Sequence, residues 1–166
     1  DNYTRLRLGT LGITFPNGAG AAPTAAAANQ LDYYEEGTWT ASLEFGGSST
    51  GITYQSNGQQ GIYTRIGNMV YISCIVALTS KGSETGDASI AGLPFTVGNH
   101  LASTSVENSL TSGYSNVGLV HAFASGTEIS MRDSAHNTLN DADFANSSSL
   151  RIAGWYRSEE HTSELQ

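Results

Sequence analysis

The chain has 166 residues, with 15 acidic and 7 basic side chains, a formal charge of −8, 19 glycines and one cysteine. That length suits a single domain able to bury a core. The acidic balance argues against a nucleic-acid module, which needs clustered Lys and Arg. Cys74 has no partner in the chain, which excludes an intrachain disulfide and a Cys-rich zinc site, and no apolar run of about 18 residues offers a membrane-spanning helix.

Gly, Ser, Thr and Asn supply 68 of the residues. They favour short strands and tight turns over long helices, because they cost backbone entropy or compete for backbone hydrogen bonds in a helix. The chain opens at Asp1 without an initiating Met and is expected to be a piece of a longer one. Residues 6–15 alternate loosely, and Gly9 and Gly12 break them into short strands. Residues 17–30 form an Ala/Gly-rich stretch. Thr24 could cap one or two helical turns there, but so short a helix is marginal and the stretch reads as a linker.

From Thr38 the pattern is that of a strand: Trp39, Ala41, Leu43 and Phe45 alternate with Thr40, Ser42 and Glu44. Ile52–Tyr54 is expected as a short strand, Asn57-Gly58 as a hairpin turn and Gly61–Ile66 as the returning strand, with Ile62, Thr64 and Ile66 on one face. Gly67-Asn68 turns the chain again. Met69–Leu78 is apolar on both faces, with Val70, Ile72, Cys74, Val76 and Leu78 on one and Met69, Tyr71, Ile75 and Ala77 on the other. Such a strand is expected to be buried on both sides, centrally in a sandwich or against another subunit. Further strands fit Ala88–Ile90, Ser103–Leu110, Val117–Ala124, Glu128–Arg132 and Ser149–Tyr156, with a single turn over Asn140–Phe144. Spacing of about ten residues between turn signals predicts an all-β antiparallel sandwich or jelly-roll-like domain over residues 31–156. The ten residues 157–166, Arg-Ser-Glu-Glu-His-Thr-Ser-Glu-Leu-Gln, match one reading frame of a common DNA-sequencing adapter and are expected to be non-native; without them the chain keeps 12 acids and 6 bases.

Sites of catalysis find little support in these residues. Glu35 and Glu36 are adjacent, so on an extended chain they point to opposite faces and do not flank one bond. Asp141 and Asp143 are weak metal candidates, since hard cations want more oxygen ligands than this run offers. His100, His121 and His136 lack metal-ligand spacing, and Cys74, set in an apolar strand, is expected to be inert. No Gly-x-Ser-x-Gly elbow or phosphate-cradling loop occurs. Trp39 and Trp155 are expected in a core or interface, and Tyr114, in the polar Thr111–Asn116 loop, is the better exposed ring.

Several segments carry a resemblance in order along the chain: Gly12–Pro16, Leu31-Asp32-Tyr33-Tyr34-Glu35-Glu36-Gly37-Thr38-Trp39-Thr40, Gly61-Ile62-Tyr63-Thr64-Arg65-Ile66-Gly67-Asn68-Met69-Val70, Ile90-Ala91-Gly92-Leu93-Pro94-Phe95 and Leu139–Phe144. Together they are similar to a domain near the C-terminal ends of tailed-bacteriophage tail fibres and related prophage proteins. One departure is Ala41, where many relatives carry Pro; it restores a backbone donor. The resemblance implies a β-rich, homotrimeric head in the phage virion. Residues 1–16 would end a fibre stalk, 17–30 would link it to the head, and the remainder of the fibre would be a partner. It brings no catalytic residues and no cofactor.

The expected function is non-enzymatic attachment to a bacterial surface polysaccharide or other receptor. Polar loops Ser80–Asp87, Asn99–Ser105 and Thr111–Asn116 would stand at the distal end, with Tyr114, Ser112, Asn116, Asn99 and His100 as contacts. The alternatives are a trimerisation cap without receptor contact and a capsule depolymerase, which would need a carboxylate pair converging in a groove.

Overall fold

A computed structural model describes residues 7–9, 12–14, 30–31, 34–98, 102–109, 120–122, 126–133, 135 and 137–159. Twelve strands run through them: β1 Arg7–Gly9, β2 Gly12–Thr14, β3 Gln30–Leu31, β4 Tyr34–Trp39, β5 Ser42–Phe45, β6 Ile52–Ile66, β7 Met69–Lys81, β8 Ala88–Ala91, β9 Ala102–Ser109, β10 Val120–Ala122, β11 Glu128–Met131 and β12 Ser149–Arg157. β1, β2 and β3 form one small sheet, and the other nine form a second in the order β4-β6-β7-β12-β9-β10-β11-β8-β5. All pairings are antiparallel.

The sheet must fold back on itself, because β4 and β5 stand at its two ends yet only Thr40 and Ala41 separate them in sequence. Its concave faces meet in one core. Val70, Ile72, Cys74, Val76 and Leu78 of β7, with Leu150, Ile152 and Tyr156 of β12, join Leu43 and Phe45 of β5, Ala88 and Ile90 of β8, and Ile129 and Met131 of β11. Phe144 closes one side of this core, its ring edge-on to Phe45 with centroids 5.3 Å apart. The fold is an all-β antiparallel sandwich, as the spacing of turn signals predicts.

Two local expectations are corrected. The alternation over Trp39–Phe45 places all four apolar residues inside, but the strand breaks at Thr40–Ala41, where the chain crosses from one end of the sheet to the other. Asn57-Gly58 makes no hairpin. It sits inside the 15-residue β6, where the register against β7 jumps between Tyr54↔Leu78 and Gln59↔Val76. The φ of +60° at Asn57 shows why a turn signal fits there: a bulge, like a type I′ turn, uses residues that tolerate the left-handed region. Gln55 Nε2 reaches across the bulge to donate to Leu78 O at 3.2 Å. The real hairpin lies at Gly67-Asn68, with positive φ at Gly67, the first central position, as a two-residue II′ turn requires.

The last strand carries the ladder through Arg157. Ser158 N–H donates to Asn68 O at 2.8 Å and Glu159 N–H to Thr96 O at 3.0 Å. These bonds are made by backbone, which every residue but proline supplies, so they are indifferent to the origin of the side chains.

Candidate functional site

Three of the five segments that carry the resemblance meet at one corner of the sandwich. Glu35, Gly37 and Trp39 point inward from β4 and meet Gly61, Tyr63 and Arg65 of β6. The Tyr63 hydroxyl donates to Glu35 Oε1 at 2.6 Å, and Trp39 Nε1 donates to Ile62 O at 3.2 Å. Both rings lie over glycines. A Cβ at Gly37 would stand 2.9 Å from Tyr63 Cε1, and one at Gly61 would overlap the Trp39 indole, 2.7 Å from its Cδ1.

Phe95, at the end of the Gly92-Leu93-Pro94-Phe95 turn, fills the centre of the corner. Its ring stands edge-on to Tyr63 with centroids 5.3 Å apart, and the buried Arg65 guanidinium lies 4.5 Å over its centroid. Arg65 Nε donates to Gly67 O at 2.8 Å, tying the cation to the β6–β7 turn. Tyr156 completes the group: its hydroxyl donates to Phe95 O at 3.0 Å and accepts from Phe95 N–H at 3.2 Å. Burial is the main reason its phenol is pushed well above the ordinary range. Chemically this corner is a cation–aromatic staple that locks the turns of the sheet.

Glu35 and Glu36 behave as strand geometry requires. Glu35 is taken up by Tyr63, and Glu36 stands outward and exposed. Asp141 and Asp143 serve backbone. Asn140 caps the 3₁₀ turn Asp141–Asp143, with Asp143 Oδ2 accepting from Asn140 N–H at 2.9 Å in a capping box. Asp141 Oδ1 accepts from Gly86 N–H at 2.9 Å and Oδ2 lies 4.0 Å from Lys81 Nζ. One expected recognition loop, the Ser80–Asp87 segment, is thus pinned to this turn. Among the described residues no cluster of three or more metal-ligating side chains occurs, and no helix is long and apolar enough to cross a membrane. Glu44 has its carboxyl pushed up, first by burial and then by the charge of Glu128.

Burial pushes the Cys74 thiol up to about 12, only partly countered by a hydrogen bond with the Ile152 backbone. Iodoacetamide at about pH 8 is therefore expected to leave the native chain unlabelled and to label it once unfolded. Labelling of the native chain at the rate of a free thiol would contradict the burial of β7.

Asn99, His100, Ser112, Tyr114 and Asn116 lie outside the described residues, as do His136 and Thr24. Of His121 the structure gives the backbone pairing alone, opposite Ser103 and Ser130.

Sequence patterning missed how the convex face of the sheet is populated. Ladder register aligns Tyr34–Ile66–Met69, Glu36–Thr64–Tyr71–Trp155, Thr38–Ile62–Ser73–Ala153 and Gln60–Ile75–Arg151 as rows across β4, β6, β7 and β12. Five large side chains on it are exposed: Tyr34 at 61%, Ile62 at 61%, Tyr71 at 50%, Trp155 at 44% and Ile66 at 41%. Ser73 and Ala153 leave a low place between taller rows, and an open depression of about 330 Å³ is lined by Gln60, Ile62, Ser73, Ile75 and Arg151 with the backbone around Gly61 and Cys74. The signal was the second apolar face of Met69–Leu78, of which Ala77 is buried, Met69 and Ile75 are half-buried and Tyr71 is exposed.

The fold thus defines a β-sandwich with a stapled corner and an apolar convex face. Among solved structures it is similar to the crystal structure of Dettilon tailspike protein (gp208), with a TM-score of 0.59 and 21% sequence identity over 76% of this chain and 24% of the tailspike. The chain thus spans about a quarter of that protein, and the likeness is one of fold. No known family description matches the chain, and no curated protein matches it.

Proposed function

We propose that the chain is the head module of a phage tail fibre or tailspike that attaches the virion to a bacterial surface, without catalysis. One observation carries the reading. Of the five segments that resemble tail-fibre heads, three (31–40, 61–70 and 90–95) contribute residues that pack into a single corner, in a fold similar to a tailspike. Residues that hold a scaffold leave recognition to the loops it presents. The segments around Asn99, His100, Ser112, Tyr114 and Asn116 are rich in Ser, Asn and Gly and hold one Tyr ring, a composition suited to a glycan. Three copies on one fibre would turn three weak sites into useful avidity.

The labelled full-length chain is expected to decorate some strains in a bacterial panel. The Ser112→Ala/Tyr114→Ala/Asn116→Ala variant is expected to lose at least about tenfold in apparent affinity with an unchanged melting temperature, as when a ring anchors an interface. Decoration that ignores these substitutions would remove the loop as the contact. Absence of decoration would favour the second reading, a structural cap of the fibre, which the exposed apolar face of the sheet supports.

A further inference from the structure

We propose that the convex face of the sheet carries a carbohydrate subsite, a shallow groove across β6, β7 and β12 that takes a neutral glycan. The subsite rests on the attachment reading for the bacterial origin of that glycan, and on the sheet's own residues for everything else. Successive residues of a strand alternate between faces, so Tyr71 and Ser73 are neighbours on one face of β7, as are Trp155 and Ala153 on β12. Register sets Tyr71 opposite Trp155, Ser73 opposite Ala153 and Ile75 opposite Arg151. The small middle row is therefore the floor of a groove. Exposed aromatic rings stand along one side of it, and Arg151, with Gln60 of β6 in the same row, along the other. The open depression of about 330 Å³ lies on this floor, with Ile62 at its β6 end. Its volume falls in the ~300–1,000 Å³ range of small-ligand clefts. The two strand spacings from β6 to β12, about 10 Å, give it the length of a disaccharide.

Side-chain chemistry selects the occupant. A pyranose ring has an apolar C–H face and a rim of hydroxyls. Exposed indole and phenol rings offer a flat surface to the first. To the second, the Arg151 guanidinium and the Gln60 amide offer planar donors, and the Ser73 hydroxyl offers both a donor and an acceptor. A protein partner would put these polar groups at the centre of its interface, where charged residues are depleted. Charge then selects among glycans. Glu107 of β9 stands opposite Arg151 in the ladder, so their row carries one acid and one base. The whole chain carries −8, which repels a polyanion and is indifferent to a neutral saccharide.

The test is titration calorimetry of the full chain with the neutral polysaccharides dextran, mannan and galactan and with the polyanion polygalacturonate. At least one neutral polysaccharide is expected to bind saturably and to shield Trp155 from acrylamide, and polygalacturonate is not. Trp39 is buried, so the quenching reports Trp155. Trp155→Ala and Arg151→Ala should each weaken binding at least about tenfold, as when an anchoring ring or a charge-assisted hydrogen bond is lost. Ser73→Phe should abolish it by filling the floor. All three side chains are exposed, so circular dichroism and native mass should not change. Failure of every neutral polysaccharide to bind, binding that survives Ser73→Phe, or preference for polygalacturonate would overturn the proposal. So would a fall in native mass in these variants, which would make the face a contact between copies. A chain that decorates bacteria yet fails these tests loses the groove and keeps the attachment reading. Binding lost in Ser112→Ala/Tyr114→Ala/Asn116→Ala but kept in Trp155→Ala returns recognition to the loops and removes the groove. A chain that passes them and decorates no strain keeps the groove and loses the attachment reading.

Discussion

Replacing Tyr156 by Ala is expected to lower stability by about 3–5 kcal/mol, the range for deleting a large buried aromatic ring. Tyr156 is fully buried on the last strand, and its hydroxyl holds both backbone groups of Phe95. Phe95 in turn carries the Arg65 cation and the Tyr63 ring. Tyr156→Phe separates the two contributions. It keeps the ring and strips the hydroxyl, leaving the Phe95 N–H and C=O without this partner, for a cost of about 1–3 kcal/mol. Chemical denaturation of the three proteins gives both differences. If Tyr156→Phe matched wild type, the staple between β12 and the Gly92–Phe95 turn would not be a stabilising contact.

The second large effect lies at the same corner. Trp39→Ala is expected to cost about 3–5 kcal/mol, because it empties the space between β4 and β6. Gly61→Ala alone is expected to cost about 1–3 kcal/mol by overpacking, since its new methyl collides with the indole. In the Trp39→Ala background that second cost should vanish, because the methyl then enters the space the indole has left. A double-mutant cycle measures this coupling directly. Additive costs would mean that Gly61 is required by the backbone and not by the ring above it.

Much of the fold was legible because strand periodicity reports burial without knowledge of the partner strand. Val70 to Leu78 alternate in sequence and alternate in the core, and Trp39, Ala41, Leu43 and Phe45 are buried although the strand breaks among them. What periodicity does not encode is where the chain turns a corner of the sheet, which is decided by closure between β4 and β5. Asn57-Gly58 was misleading for a related reason. A left-handed residue serves a bulge as well as a hairpin, and only the partner β7, running unbroken past the bulge, decides between them.

The corner staple was visible as a set of similar segments but not as a contact, since Glu35 and Tyr63 are far apart in sequence and 2.6 Å apart in space. Ile62 and Ile66 were placed on one face, and that face is the exposed one. Alternation sorts residues into two faces; it does not say which face has a neighbour within the chain. At Asp141 and Asp143 the sequence shows oxygen donors, and the fold spends them on Gly86 and Asn140 N–H groups.

The most direct test of the attachment reading is the binding isotherm of the full-length chain on purified surface polysaccharides from the bacterial panel, measured by surface plasmon resonance. The account predicts saturable binding to a subset of these glycans, strengthened when the protein is multivalent and competed by free polysaccharide. A chain that is folded by circular dichroism and binds none of the polysaccharides, on strains it nonetheless decorates, would contradict glycan recognition and place the receptor among surface proteins.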